Sequence, residues 1–484
     1  MVEIQFEKLL EQFGEVGFVE TLSHSIAKIK GLPEVRMGEM VMFESGQVGQ
    51  VMALDSEMVE VLVLSKSAVK VGARVVRVGR TMTVSVGEQL LAHTLDALGR
   101  PIWGEPIDAS KFEFRPIEMV PSGIVYRKKI NKQMSTGVVL VDLMIPLGMG
   151  QRELVIGDRK TGKSNLLLQA AVYQARLGRI CVYAAIAKKK SEIKRIEAFL
   201  QEKGVWGNSV VVATSAQDSA GEIFLCPYTA MSIAEYFRDK GRDVLVIFDD
   251  MTSHAQFYRE LSLISGRFPG RDSYPGDIFH IHSRLLERGG NFLVDGKEAS
   301  ITCLPIAETV QGDITGYIQT NLMSMTDGHI FFDGELFFKG RRPAINPFVS
   351  VTRVGHQTQT SLAREAGRVL LDLLSGYERT QSFLKFGAEL GESSRQILTM
   401  GDRVLAFFDQ PTSKIVPYSM QLVLLAMLVS GMWNGKNLNK LLEAAEKDNT
   451  IMEAVDGMVE SSDSMNKLID QVRKSSEKLL PHLS

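Results

Sequence analysis

The stretch Gln151–Arg176, QRELVIGDRKTGKSNLLLQAAVYQAR, decides the fold. Its segment ELVIGD is an apolar run of the length of a buried strand. Gly157-Asp158-Arg159-Lys160-Thr161-Gly162-Lys163-Ser164 then fits the phosphate-loop pattern G-x-x-x-x-G-K-[ST]. A helical stretch follows, from about Lys163 to Ala175. The pattern by itself occurs by chance in long proteins, but strand, glycine-bearing loop and helix in this order are the context it needs. The chemistry sets each residue type. Gly157 and Gly162 let the backbone curl so that its N–H groups face phosphate oxygens. The helix N-terminus adds partial positive charge. Lys163 can reach beta and gamma phosphates, and the Ser164 hydroxyl can ligate magnesium.

Outward from this loop, strand-like and helical runs alternate. RICVYAAI is followed by the helical SEIKRIEAFLQEKG, and SVVVATS, DVLVIFDD and SITCLPIA are further buried-strand candidates. This alternation predicts a parallel sheet covered by helices. DVLVIFDD ends in Asp249 and Asp250. An acid at the C-terminal end of a buried strand can hold magnesium or its water, and Asp249 is the candidate. Standing alone, such an acid is as often a helix cap.

Towards the N-terminus, VGFVETL, IAKIKGL, EMVMFES, QVGQVMAL, MVEVLVL and ARVVRVG alternate or run apolar, with turns between them. Short strands at this spacing predict a small β-barrel. It lacks the interleaved basic and aromatic residues of a nucleic-acid-binding barrel. From about Gln357 the strand signals stop. SLAREAGRVLLDLLSGYERTQSFLKFG, SSRQILTMGDRVLAFF, QLVLLAMLVSGMW and LNKLLEAAEKD all fit helical periodicity. The expected architecture is an N-terminal β-barrel (1–80), a central RecA-like α/β P-loop domain (81–356) and a C-terminal α-helical bundle (357–484).

Bulk properties narrow the function. The protein has 484 residues and a formal net charge of -2, which gives no global attraction to nucleic acid or anionic lipid. No apolar run is long enough to span a bilayer, and the N-terminus lacks the order of a signal peptide. Cys181, Cys226 and Cys303 are too few and scattered for a disulfide framework or a metal cluster, so they read as small buried apolar residues. His280 and His282, in DIFHIHSR, have strand spacing and are expected to point to one side. With no acid or cysteine partner nearby in sequence, they read as structural rather than as a metal pair. The compartment expected from these features is the cytosol.

Longer segments carry a resemblance. GQRELVIGDRKTGKS, EYFRDKGRDVLVIFDD, GRFPGRDSYPGDIFHIHSRLLER, LPIAETVQGDITGYIQTNLMSMTDGHIFF and KGRRPAINPFVSVTRVG make the protein resemble the alpha subunits of F-type ATP synthases over nearly its whole length. The resemblance implies alternation with catalytic beta-type subunits in a ring around a rotating gamma-type central stalk, with a peripheral stalk outside. It implies a peripheral place on the cytoplasmic side of a cell or organelle inner membrane, touching the membrane only through other subunits. The cofactors implied are ATP or ADP with Mg²⁺. Arg353, in NPFVSVTRVG, would project into the adjacent beta site and assist catalysis there, although spacing alone favours a surface salt bridge. Ser350 would support it. Arg342, in GRRPAIN, and Gln410, in FFDQP, would border the adenine.

ATP hydrolysis needs a group to orient and activate water. The catalytic paralogues place a glutamate just after the strand that follows the P-loop helix, and typical alpha subunits place glutamine there. Here Lys188, in AAIAKKKSEIKR, falls on that position. A protonated ammonium cannot accept water's proton at neutral pH. Lys188, Lys189 and Lys190 read as a wet strand end, and Glu192, one turn further along, would point elsewhere on the following helix and is not expected to serve as a substitute base. The protein therefore reads as a regulatory, non-catalytic subunit. Further departures from the family are Ala187-Lys188, Thr412, His356-Gln357 and a short N-terminus, which puts stalk contact in doubt. The competing readings are a self-sufficient export-type ring ATPase, an RNA translocase, and a structural paralogue without nucleotide. They lack, in turn, a carboxylate at position 188, a basic aromatic barrel, and a reason to keep Lys163, Ser164 and Asp249 together.

Overall fold

A computed structural model of the protein describes residues 6–64, 69–104, 107–108, 111–385, 391–411, 414–433, 442 and 449–475. The fold divides into two compact units. One comprises Met1–Lys128, Ala175–Glu308 and Ile314–Thr326, and the other comprises Lys129–Gln174, Thr309–Asp313 and Asp327–Ser484.

In the first unit, six strands close into the expected barrel: Gly17–Ser23, Ile26–Lys30, Glu39–Phe43, Val48–Leu54, Val59–Val63 and Arg74–Thr81. All six coincide with the apolar runs read from sequence. The interior is Val19, Ile29, Val41, Phe43, Val61 and Val75, small β-branched and aromatic side chains that fit a narrow barrel. A Cβ at Gly49 would meet Val61 Cγ1 on the neighbouring strand at 2.4 Å, so the Val61 side chain fills the space that a side chain at 49 would need. A short helix, Phe6–Phe13, lies against the barrel with Arg74 over the Phe6 ring and Arg77 over the Phe13 ring.

The same unit carries a parallel sheet in the order Lys297–Thr309, Val244–Asp249, Ile180–Lys188, Ser209–Ser215 and His93–Leu95. Gly290–Val294 pairs antiparallel with the first of these. Every residue of Val244–Asp249 and Ser209–Ser215 is buried, which is why these strands read as continuous apolar runs without alternation. The helix Ala220–Asp239 starts at a capping box, with Ser219 and Glu222 bonding each other's backbone N–H. Its Glu235 receives the buried Arg288 guanidinium at 2.7 Å.

In the second unit, Leu154–Asp158 runs parallel to Gly328–Phe332, and Val351–Thr352 pairs antiparallel with the latter. Helices Ser361–Lys385, Glu392–Phe408, Tyr418–Val429, Asn449–Glu460 and Met465–Lys474 follow. Tyr418–Val429 is buried along most of its length, as expected of the central helix of a bundle. The helical segment LNKLLEAAEKD, apart from Leu442, and residues 476–484 of the charged tail lie outside the described residues, as does Thr412.

The spacing argument for His280 and His282 is overturned. Both lie on the helix Ile278–Leu286. Residues two apart on a helix do not share a face. His282 is buried and His280 is exposed.

Among the described residues no helix is long and apolar enough to cross a membrane. The three cysteines are free and buried, as expected, and burial pushes the Cys181 and Cys226 thiols up to about 12.

Candidate nucleotide site

The loop Gly157–Ser164 is built in the second unit. Gly157 has φ 155° and Gly162 φ 105°, conformations that side chains with a Cβ rarely take. A Cβ at Gly157 would also lie 2.4 Å from the Phe332 carbonyl oxygen, so the loop passes this strand where only glycine fits. Lys160 takes φ 63° and turns the backbone towards the helix, which starts at Lys163. The Thr161 hydroxyl donates to the Asp158 carbonyl at 2.7 Å. Asp158 fastens the loop from the other side: its Oδ1 accepts from the Thr309 hydroxyl at 2.5 Å and from Gly312 N–H at 2.9 Å. Arg159 and Lys160 are exposed.

Lys163 is 6% exposed, and its Nζ donates to the carbonyl oxygens of Gly157 at 2.8 Å and Asp158 at 2.6 Å. The ammonium thus spans the loop's own backbone. Ser164 is half-buried at the first turn of the helix. A backbone curl that only glycine allows, an ammonium beside it and a helix N-terminus form a set that fits a polyphosphate.

The strand-end acids belong to the first unit. Asp249 ends the strand Val244–Asp249, and Asp250 caps the helix Met251–Ile264. Asp250 Oδ1 accepts from Ser253 N–H at 2.6 Å, so the capping role is real for Asp250. Burial pushes the Asp250 carboxyl up to about 6 against the pull of Lys188. Asp249 accepts from the buried Tyr183 hydroxyl at 2.6 Å on Oδ2. Its Oδ1 lies 2.6 Å from Lys188 Nζ, and Asp250 Oδ2 lies 3.7 Å from the same nitrogen.

Lys188 therefore does not sit at a wet strand end with its neighbours. Its side chain is 18% exposed, whereas Lys189 and Lys190 are exposed. The local cause is a bulge. Ala185 is the last residue in plain register with Ser209–Ser215 before Lys188, and Ala187 between them has φ 54°. That irregularity re-aims Lys188. Burial works against its charge, but Asp249 and Asp250 outweigh burial and hold its pKa above the usual lysine value. Glu192 is exposed in the first turn of the next helix. Among the described residues no group of three or more His, Cys, Asp or Glu side chains is placed to hold a metal.

The remaining candidates lie in the second unit. Arg342 donates to the carbonyls of Phe337 at 3.0 Å and Arg341 at 2.7 Å, and its guanidinium lies 3.8 Å from the Phe337 ring centre. It lines a cleft of about 340 Å³ with Leu140, Pro343, Phe348 and Tyr377. Residues 157–164 are not among the lining of this cleft. Gln410 is 2% exposed and spends its amide on the backbone. Its Oε1 accepts from Val139 N–H at 3.0 Å, and its Nε2 donates to the carbonyls of Gly137 at 2.7 Å and Lys414 at 2.8 Å. Its own N–H donates to the Arg342 carbonyl at 2.7 Å, so Gln410 positions the Arg342 segment. Ser350 Oγ accepts from Phe331 N–H at 2.9 Å and donates to the Asn346 carbonyl at 2.7 Å. This pins the segment that carries Arg353. Arg353 itself is exposed, with its N–H donating to the Asp327 carbonyl at 2.9 Å.

Residues 137–352 match the nucleotide-binding domain of the ATP synthase alpha/beta family, and residues 359–481 match the family's C-terminal domain. The ATP synthase subunit alpha of Clostridium acetobutylicum is 39% identical over 427 residues, covering 88% of this protein and 84% of that one. The chain belongs to the F-type ATP synthase alpha-subunit family. The barrel, the α/β nucleotide-binding region and the helical C-terminal region are the family's architecture. Within the family frame, the pairing of Lys188 with Asp249 is the feature that sequence reasoning missed. The signal was there in the lysine at position 188 and the acid pair, but the bulge that joins them has no sequence signature beyond Ala187.

A second missed feature is a buried histidine pair in the first unit. His254 Nε2 donates to the Phe224 carbonyl at 3.0 Å, which leaves Nδ1 to accept from His282 Nε2 at 3.1 Å. Burial lowers the His254 pKa to about 4 and that of His282 well below its usual value, so both rings are neutral and structural.

Proposed function

We propose that the protein is the regulatory, non-catalytic nucleotide-binding subunit of a rotary ATP synthase. It holds ATP or ADP through Gly157–Ser164, with Arg342 at the adenine and Gln410 positioning it. Ser164 and Asp249 are the magnesium-side groups, Asp249 through water. Beta-type subunits are the partners in the ring, a gamma-type subunit is the central shaft, and Arg353 serves the neighbouring beta-type site. Coupling to ion transport runs through the membrane subunits of the complex.

The observation that supports the non-catalytic reading is the ion pair of Lys188 with Asp249 at 2.6 Å. It keeps protonated the group that would otherwise have to take a proton from water. The test is MgATP binding and ATP hydrolysis measured on the purified protein alone. Binding without turnover is the expected result. Steady turnover that follows the protein through every purification step would replace this reading with that of an independent ring ATPase.

A further inference from the structure

We propose that a basic cleft within the second unit binds a small phosphate monoester, at a site separate from the loop Gly157–Ser164. The cleft has a volume of about 380 Å³, enough for a small molecule, and no residue of that loop lines it. One wall is a single face of the helix Ser361–Lys385. Arg364, Gly367, Arg368 and Leu371 line the cleft and follow the i, i+3, i+4, i+7 spacing of one helical stripe. A Cβ at Gly367 would lie 2.9 Å from the Leu143 carbonyl oxygen, so the helix sits close against the chain that carries Leu143 and Ile145. These two residues and Leu371 give the cleft apolar lining.

Arg364 and Arg368 stand one helical turn apart, about 5–6 Å between Cβ atoms, a like-charge spacing that an anion beside them would relieve. Among the described residues neither forms an ion pair, and no acidic side chain lines the cleft. Gln359 also lines it and is 6% exposed. The Gln359 Oε1 accepts from His356 Nδ1 at 3.3 Å, whereas its buried Nε2 has no hydrogen-bond partner. A buried amide nitrogen without a partner carries a cost that a hydrogen-bonding ligand removes. Arginines on a helix surface are ordinarily just solvated. The spare buried donor beside them is what distinguishes this cleft from a solvated face. Guanidinium forks match phosphate oxygens, and two of them balance the nearly double charge of a phosphate monoester at neutral pH. A carboxylate would balance only one. The apolar lining suits the organic part of the ester, which inorganic phosphate lacks.

The experiment is calorimetric titration of the full-length protein with phenyl phosphate, and separately with inorganic phosphate. The wild type should bind phenyl phosphate about tenfold more tightly than inorganic phosphate. Arg364→Gln combined with Arg368→Gln, both at exposed positions, should weaken phenyl phosphate by about tenfold or more. Gln359→Leu should weaken it by about threefold or more. MgATP affinity of the double variant should match that of the wild type, because the loop lies outside the cleft. Absence of phenyl phosphate binding by the wild type at millimolar concentration overturns the proposal. Equal affinity in the wild type and the folded double variant also overturns it, and would place the probe at the phosphate loop instead. A parallel loss of MgATP affinity would overturn the separateness of the site, and equal binding of the two probes would overturn its assignment to an ester. Circular dichroism checks folding. If the double variant is unfolded, Arg368→Gln alone decides by the same comparison.

Discussion

Lys163 and Lys188 are both largely buried ammonium groups, and their partners are of opposite kinds. Lys163, in the loop of the second unit, donates to two neutral backbone carbonyls. Lys188, at the strand end of the first unit, faces two carboxylates. A carbonyl is a modest partner for a cation and gives it up readily to a polyanion. A buried carboxylate left behind by its cation carries a penalty of roughly 3–5 kcal/mol. The difference teaches that Lys163 is poised for recruitment by phosphate, whereas Lys188 is bound to its acids. A third case completes the comparison. Asp142 is a buried carboxylate with neutral partners: Thr136 N–H and hydroxyl, Gly137 N–H and the Gln421 amide.

The comparison assigns binding or charge balance to both lysines and chemistry to neither. The largest expected effect therefore belongs to another cation. Arg353→Ala in an assembled ring should cut ATP hydrolysis at the neighbouring sites by about 10³-fold, the scale of a missing transition-state arginine, with the ring intact. Steady-state hydrolysis and native electrophoresis measure the two parts. Full activity would make Arg353 a surface charge and reopen the question of which cation serves the chemistry. Next in size, Lys163→Ala should weaken MgATP binding to the isolated protein by roughly 10- to 100-fold, equivalent to losing a hydrogen bond to a charged group. Unchanged affinity would mean that its carbonyl partners are its only role.

The smallest effect concerns Asp142. Burial raises its folded-state pKa from 3.8 to about 6 despite the hydrogen bonds that oppose the shift. Between those values the native state holds a proton that the unfolded state has released. The stability from this group is therefore full below about pH 4 and is lost as pH rises through about 6. Asp142→Asn should flatten that part of the pH profile, an effect on the order of 2 kcal/mol read from urea midpoints between pH 4 and 7. A profile that keeps its slope in the variant would assign the titration elsewhere.

Much of this was legible in the sequence. The six barrel strands declare themselves because each is a short apolar run bounded by glycine or charged turns. The loop declares itself because its glycines, lysine and serine are each dictated by phosphate chemistry and stand between a strand and a helix. DIFHIHSR misled because so short a window cannot separate period two from period 3.6. The longer pattern of Ile278, His282, Leu285 and Leu286, all buried, is helical. Lys188 reads as solvated because lysine triplets usually are, and a one-residue bulge is invisible to alternation arguments. The sequence does not reveal that the Gln410 amide bonds Val139 N–H and the carbonyls of Gly137 and Lys414. Buried amides of that kind cannot be told from binding ones by residue type and spacing.

The strand that leads into the phosphate loop has a consequence for the birth of the molecule. Leu154–Asp158 pairs with Gly328–Phe332, and the backbone passes through the first unit between them. During synthesis from the N-terminus, the barrel and its short-range hairpins are complete long before the loop has its neighbouring strand. The segment Lys129–Gln174 is made early and waits, with an unpaired apolar edge, for residues that emerge much later. Such a non-local pairing is slow to form. The strand that carries the phosphate loop is therefore among the elements whose pairing waits longest on the rest of the chain.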